Sequence, residues 1–119
     1  MSNENGKLIT YKGTDKDMQG LGGYQYEIGK TETDDGAIRC GRKGFHSCKV
    51  PLDVLRYYHP VDGKRYFVCE AGGEIDEGDG IDSKLASSEL TIIKEIGLKG
   101  LINAQKDHVM GKVPLDQQH

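Results

Sequence analysis

The sequence predicts a single α+β domain: a mostly antiparallel, twisted sheet with one or two packed helices. Three observations lead there. Short stretches such as "KLITYKG" and "YQYEIGK" alternate apolar and polar residues, the two-residue period of a half-buried strand. Helical spacing of apolar residues is confined to two stretches, one after Pro51 and one after Gly97. Glycine occurs 17 times in 119 residues, about twice its usual ~7% share, so the chain is cut into short elements by turns. A chain of this length fits one hydrophobic core, since domains typically run to about 100–150 residues. The expected division is a flexible N-terminus over residues 1–7, one domain over 8–108 and a frayed tail over 109–119.

Each element has its own local reason. "KLITYKG" reads as an opening strand whose turn begins at Gly13, and "QGLGG" as a flexible turn. "YQYEIGK", residues 24–30, reads as a strand with Tyr24, Tyr26 and Ile28 on one face. After the basic turn "CGRKG", "GFHSC" reads as a short strand. Pro51 suits the first position of a helix because the N–H it lacks would have no partner there; Leu52, Leu55 and Tyr58 follow at helical spacing. Pro60 and the "DG" turn should end that helix. "KRYFVCEA" is apolar on both faces, Tyr66 and Val68 against Phe67 and Cys69, as in a strand covered on both sides. "SELTII" fits strand or helix by pattern, and "GLKGLINAQKDHVM" a weak helix loosened by Gly97 and Gly100.

Composition excludes several function classes. The hydrophobic share is 35%, with a mean hydropathy of -0.61. No apolar run approaches the ~20 residues of a membrane span, and "MSNENGK" lacks the apolar stretch of a secretory leader, so the expected location is the cytoplasm. Three cysteines, an odd number without a secretion signal, imply reduced thiols. A net charge of -3 argues against general nucleic-acid binding, which needs a basic surface to displace counterions from phosphates.

Three chemical constellations stand out. Glu74, Asp76, Glu77, Asp79 and Asp82 could offer oxygens to a hard cation, but "DEGDGID" is not the spacing that closes an EF-hand loop, and a solvated acidic loop is the simpler reading. Cys40, His46, Cys48, Cys69 and His59 have the ligand types of a zinc site without its paired spacing: Cys40 and Cys48 are too far apart for one turn to offer both thiolates. Buried structural cysteine is the simpler reading there. Cys48 just before a helix, with His46 near, has two parts of a thiol nucleophile but no third orienting group. No catalytic residue, metal or cofactor is therefore assigned.

"YKGTDKDM", "GGYQYEIGK", "GFHSCKVPLDVLRYYHP", "RYFVCEAGGE", "GDGIDSKLAS" and "KEIGLKGLINA" resemble, in order, the successive blocks of a family of small phage and prophage proteins known as a domain of unknown function. The likeness spans about residues 8–105. Thr14, Tyr24 and Ser47 depart from the family's usual aromatic, phenylalanine and alanine. The resemblance implies an accessory protein of the host cell's cytoplasm, a non-catalytic binder or inhibitor. It would antagonise a host defence system by occluding a protein or by sequestering a nucleotide signal.

A second likeness gives the alternative. "YKG", then "GFHSC" followed by a helix with paired tyrosines, then "RYFVCEAGG", is similar in order to the blocks of ADP-ribosyltransferase-like domains, which grip nicotinamide dinucleotide. There Lys12 stands in place of the first-strand histidine or arginine, and Glu95 in place of the late glutamate. Taken with the residues themselves, the ligand- or partner-facing set is Lys12, Arg42, Phe45, His46, Tyr57, Tyr58 and Glu95. Phe45, Leu52, Leu55 and Cys48 read as core. The sequence leaves self-association open.

Overall fold

In a computed structural model, which describes residues 6–40, 43–61, 63–78 and 82–110, four strands close into a small barrel. They are β1 (Leu8–Thr14), β3 (Phe45–Cys48), β4 (Arg65–Asp76) and β5 (Lys84–Glu95), all paired antiparallel. A fifth strand, β2 (Thr31–Thr33), pairs with β5 at Thr91 to Glu89, beyond the reach of β3, so β2 and β3 lie end to end along one edge of β5. A 3-10 helix (Pro51–Arg56) follows β3, and helix α1 (Gly97–Met110) follows β5. The expected α+β class with an antiparallel sheet is what forms. Residues 1–5 and 111–119 of the expected terminal segments, and Arg42 and Asp79 among the candidates, lie outside the described residues.

β4 pairs with β1 along one edge and β5 along the other, and it is apolar on both faces because each is covered. Phe67, Cys69 and Ala71 turn into the barrel with Phe45, Leu85, Leu90 and Ile92. Tyr66 turns outward into a second cluster with Cys48, Val54, Tyr58 and Leu101, beneath the two helices. The β4–β5 register shifts twice, between Val68 and Cys69 and between Gly72 and Ile75. Such irregularities bend a strand and raise its twist, which a four-strand closure requires.

Three local expectations are corrected. Residues 24–30 do not form a strand: Gln25 and Ile28 make single bridges, to Gln19 and Ile92, and Tyr26 is buried while Tyr24 and Ile28 are exposed. The chain there crosses the barrel mouth without a neighbour to extend a ladder. Gly13 lies inside β1 and starts no turn. It is packed against the ring of Tyr58, whose Cγ would lie 2.6 Å from a Cβ at residue 13. The Pro51 helix is a single 3-10 segment, and its buried face carries Pro51 and Val54, leaving Leu52 exposed and Leu55 partly buried. The tighter three-residue turn brings position 54 inward after 51. The alternative left open for "SELTII" resolves as strand, inside β5.

The 3-10 helix is stitched in place at both ends. Val50 N–H donates to Ser83 Oγ, and Ser83 N–H to Asp53 Oδ2. At the other end the Tyr66 hydroxyl donates to the Tyr58 carbonyl at 2.7 Å. These bonds hold Tyr57 and Tyr58 over the outside of β1 and β3. No described helix is long and apolar enough to cross a membrane.

Candidate functional site

The barrel wall has a seam. β1 and β3 pair only at Tyr11 and Cys48, and beyond that pair the next residues on either side are Lys12 and Ser47. A cleft of about 600 Å³ opens here, walled by Lys12 and Phe45 from the strands, Tyr24 and Tyr26 from the crossing segment, and Tyr57 and Tyr58 from the turn that ends the 3-10 helix. That size suits a small molecule.

Lys12 is the only lysine among the described residues whose side chain is buried. Its ammonium donates to the His46 carbonyl at 2.8 Å and lies 4.8 Å from the centre of the Tyr26 ring. No ion pair holds it among the described residues. Other lysines do have carboxylate partners: Lys43 meets Asp34 at 3.2 Å, and Lys49 meets Glu77. Burial lowers the Lys12 pKa to about 8, against a smaller upward pull from the thiols of Cys69 and Cys48. Removing a charge from water without a counter-charge is costly, so this lysine burdens the fold unless something completes it. Ser47 adds a second incomplete group: the residue lines the same cleft, and its buried hydroxyl has no hydrogen-bond partner among the described residues.

Aromatic rings form the rest. Tyr24 lies 4.9 Å from Tyr26 and 5.5 Å from Phe45, ring centre to ring centre, both tilted. The Tyr24 hydroxyl donates to Glu32 at 2.6 Å, a bond that, with burial, raises its pKa to about 12. The Tyr58 hydroxyl accepts from Leu21 N–H at 2.9 Å, tying the glycine turn to the 3-10 helix. That turn is built on Gly22 and Gly23, both at φ +87, a left-handed geometry that favours glycine. Lys84 places its ammonium 4.5 Å from the Tyr57 ring centre, and the Tyr57 hydroxyl donates to Asp82. His46 is partly buried; burial first, then Lys12 and Lys84, lowers its pKa. The cleft carries Lys12, Lys43 and Lys84 against one acid, Asp34, so it is basic on an acidic chain.

Of the sequence-derived candidates, the fold gathers Lys12, Phe45, His46, Tyr57 and Tyr58 around this cleft. Glu95 does not line it; it forms a two-pronged pair with Arg65, at 3.0 and 2.8 Å. Arg42 lies outside the described residues. Tyr24 and Tyr26 enter the site from what reads locally as a strand face, and the flanking glycine turn is the one sequence signal that could have marked them. Ser47, Lys43 and Lys84 carry no local signal.

The thiol and acidic constellations are dispersed. Cys69 faces the barrel interior, Cys48 the second cluster, and Cys40 N–H donates to Asp76. Burial pushes the Cys48 thiol up to about 12, helped by Asp82 and Asp53, so the helix start gives no thiolate there. Glu77 pairs with Lys49, and Asp82 accepts from Lys84 N–H as well as Tyr57. Among the described residues no group of three or more His, Cys, Asp or Glu side chains is arranged to hold a metal ion.

No curated protein and no solved structure matches the chain. A family profile does, over residues 8–104, covering β1 through most of α1 and with them the whole described cleft. The chain therefore belongs to DUF7666, a family of domains of unknown function.

Proposed function

We propose that this domain is a non-catalytic binder that sequesters a small anionic molecule carrying a planar ring, a nucleotide in chemical class. The observation that carries the reading is Lys12, a buried ammonium with no carboxylate partner among the described residues, at the wall of an aromatic cleft. A phosphate there supplies the missing counter-charge, and the unpartnered Ser47 hydroxyl is a donor for it; charge-assisted bonds of this kind are about twice as strong as neutral ones. Tyr24, Tyr26 and Phe45 offer ring surfaces for a base, an interaction worth ~1–3 kcal/mol per stacked base. The setting that goes with this reading is the one implied by the sequence resemblance: a phage-type accessory protein in the host cytoplasm that blunts a defence system by holding its nucleotide signal.

Calorimetric titration tests it. ADP should bind stoichiometrically, while adenosine and inorganic pyrophosphate, each lacking half of the recognised chemistry, should bind at least about tenfold more weakly, the equivalent of ~1.4 kcal/mol. Lys12→Met should weaken ADP binding, and Glu95→Gln, outside the cleft, should leave it unchanged. Failure of every nucleotide tried, or equal affinity in Lys12→Met, would overturn the reading.

A further inference from the structure

We propose that Lys12 is also a covalent site: its amine condenses with a small aldehyde or ketone admitted to the cleft. This goes beyond reversible capture and draws on the same residue in its uncharged form.

The geometry favours this amine over the others. Lys16, Lys30, Lys43 and Lys49 each have a carboxylate partner, whereas Lys12 has none among the described residues. Among the described residues Lys12 has a single hydrogen bond, to the His46 carbonyl, which leaves its remaining N–H positions uncommitted there. It is buried yet lines an open cleft, so a small electrophile reaches it while bulk water is largely excluded. Burial alone favours the neutral amine: with a pKa of about 8, about a tenth of Lys12 is uncharged at pH 7, against less than about a thousandth for an ordinary lysine. Desolvation is a recognised route to a nucleophilic lysine.

The chemistry balances without any redox partner. The neutral amine adds to the carbonyl carbon and forms a C–N bond, giving a carbinolamine after one proton moves from nitrogen to oxygen. The C–O bond then breaks, the oxygen leaving as water with a second proton from nitrogen, and a C=N bond remains. Ser47, a lining residue of the same cleft whose buried hydroxyl has no partner among the described residues, is a hydrogen-bond donor for the carbonyl oxygen and for the carbinolamine. The aromatic wall selects a flat carbonyl compound, and the basic charge one that carries an anionic group.

The probe is pyridoxal 5′-phosphate, a planar aldehyde with a phosphate, mixed with the full chain and sodium cyanoborohydride at pH 7. Peptide mass mapping then compares rates at each lysine. Lys12 should be labelled at least about tenfold faster than Lys43 or Lys84, with a rate that rises and levels near pH 8 and falls when pyridoxine 5′-phosphate, which lacks the aldehyde, competes. Lys12→Arg keeps a cation but cannot condense, so labelling at that position should vanish while surface labelling persists. Should that variant fail to fold, the wild-type rates and their pH profile decide. Labelling of Lys12 no faster than of exposed lysines overturns the inference. ADP binding without fast Lys12 labelling removes the covalent inference alone, and fast labelling without ADP binding removes the nucleotide reading alone.

Discussion

The Lys12 ammonium reaches across the seam between β1 and β3 to the His46 carbonyl, 2.8 Å away, and meets no carboxylate among the described residues. Its burial has a stability consequence with a definite sign. Between pH 8 and 10.5 the unfolded chain keeps a proton that folded Lys12 sheds, so stability rises with pH across that window. The cost of the charge below it is roughly 3 kcal/mol. Cys48 and Cys69, raised to about 12 from 9.0, act in the opposite sense above pH 9. The effect is therefore read as a difference from Lys12→Met, which keeps both cysteines. Lys12→Met should melt higher at pH 7, by about 5 °C or more, and the gap should narrow steadily from pH 8 to 10. A gap that ignores pH would show that Lys12 is not buried as a charge.

The contact between Gly13 and the Tyr58 ring leaves no room for a methyl group. Gly13→Ala should destabilise by roughly 1–3 kcal/mol through overpacking. Because Tyr58 also holds Leu21, the same variant should loosen the glycine turn, seen as faster amide exchange at Leu21. A neutral melting shift would mean that Tyr58 is free to leave β1.

The inward residue of the 3-10 helix is Val54, at 2% exposure, with Leu52 at 37%. Val54→Ala should cost roughly 1–3 kcal/mol and Leu52→Ala less than about 1. Reversal of that order in chemical denaturation would restore the α-helical register that the spacing of Leu52, Leu55 and Tyr58 suggests.

The three thiols are not joined in disulfides and differ in access: Cys40 is partly exposed, Cys48 and Cys69 are buried. An aromatic disulfide reagent at pH 8 should consume one thiol quickly, at Cys40, and two more only after denaturation, since the thiolate is the reacting form and burial suppresses it. Three equal rates would contradict the packing of both clusters.

What the sequence determined alone is local. Alternation placed β1, the basic turn "CGRKG" preceded the short strand β3, two-sided apolarity marked β4 as a strand covered on both faces, and Pro51, with its locked φ and missing N–H, marked the helix start. The same alternation misread residues 24–30, because a periodic pattern records which side chains face apolar surface and not whether the backbone finds a ladder partner. Tyr26 is buried as the pattern required, yet its segment makes only single bridges and no ladder. The site divides in the same way. Phe45, His46, Tyr57 and Tyr58 were legible because aromatics and a histidine crowd one short stretch, and Lys12 because a likeness pointed to it. Ser47, Lys43 and Lys84, and the cleft itself, were decided by tertiary structure. The cleft exists because β1 and β3, more than thirty residues apart, pair at one position and then part, and long-range register leaves no trace in local composition.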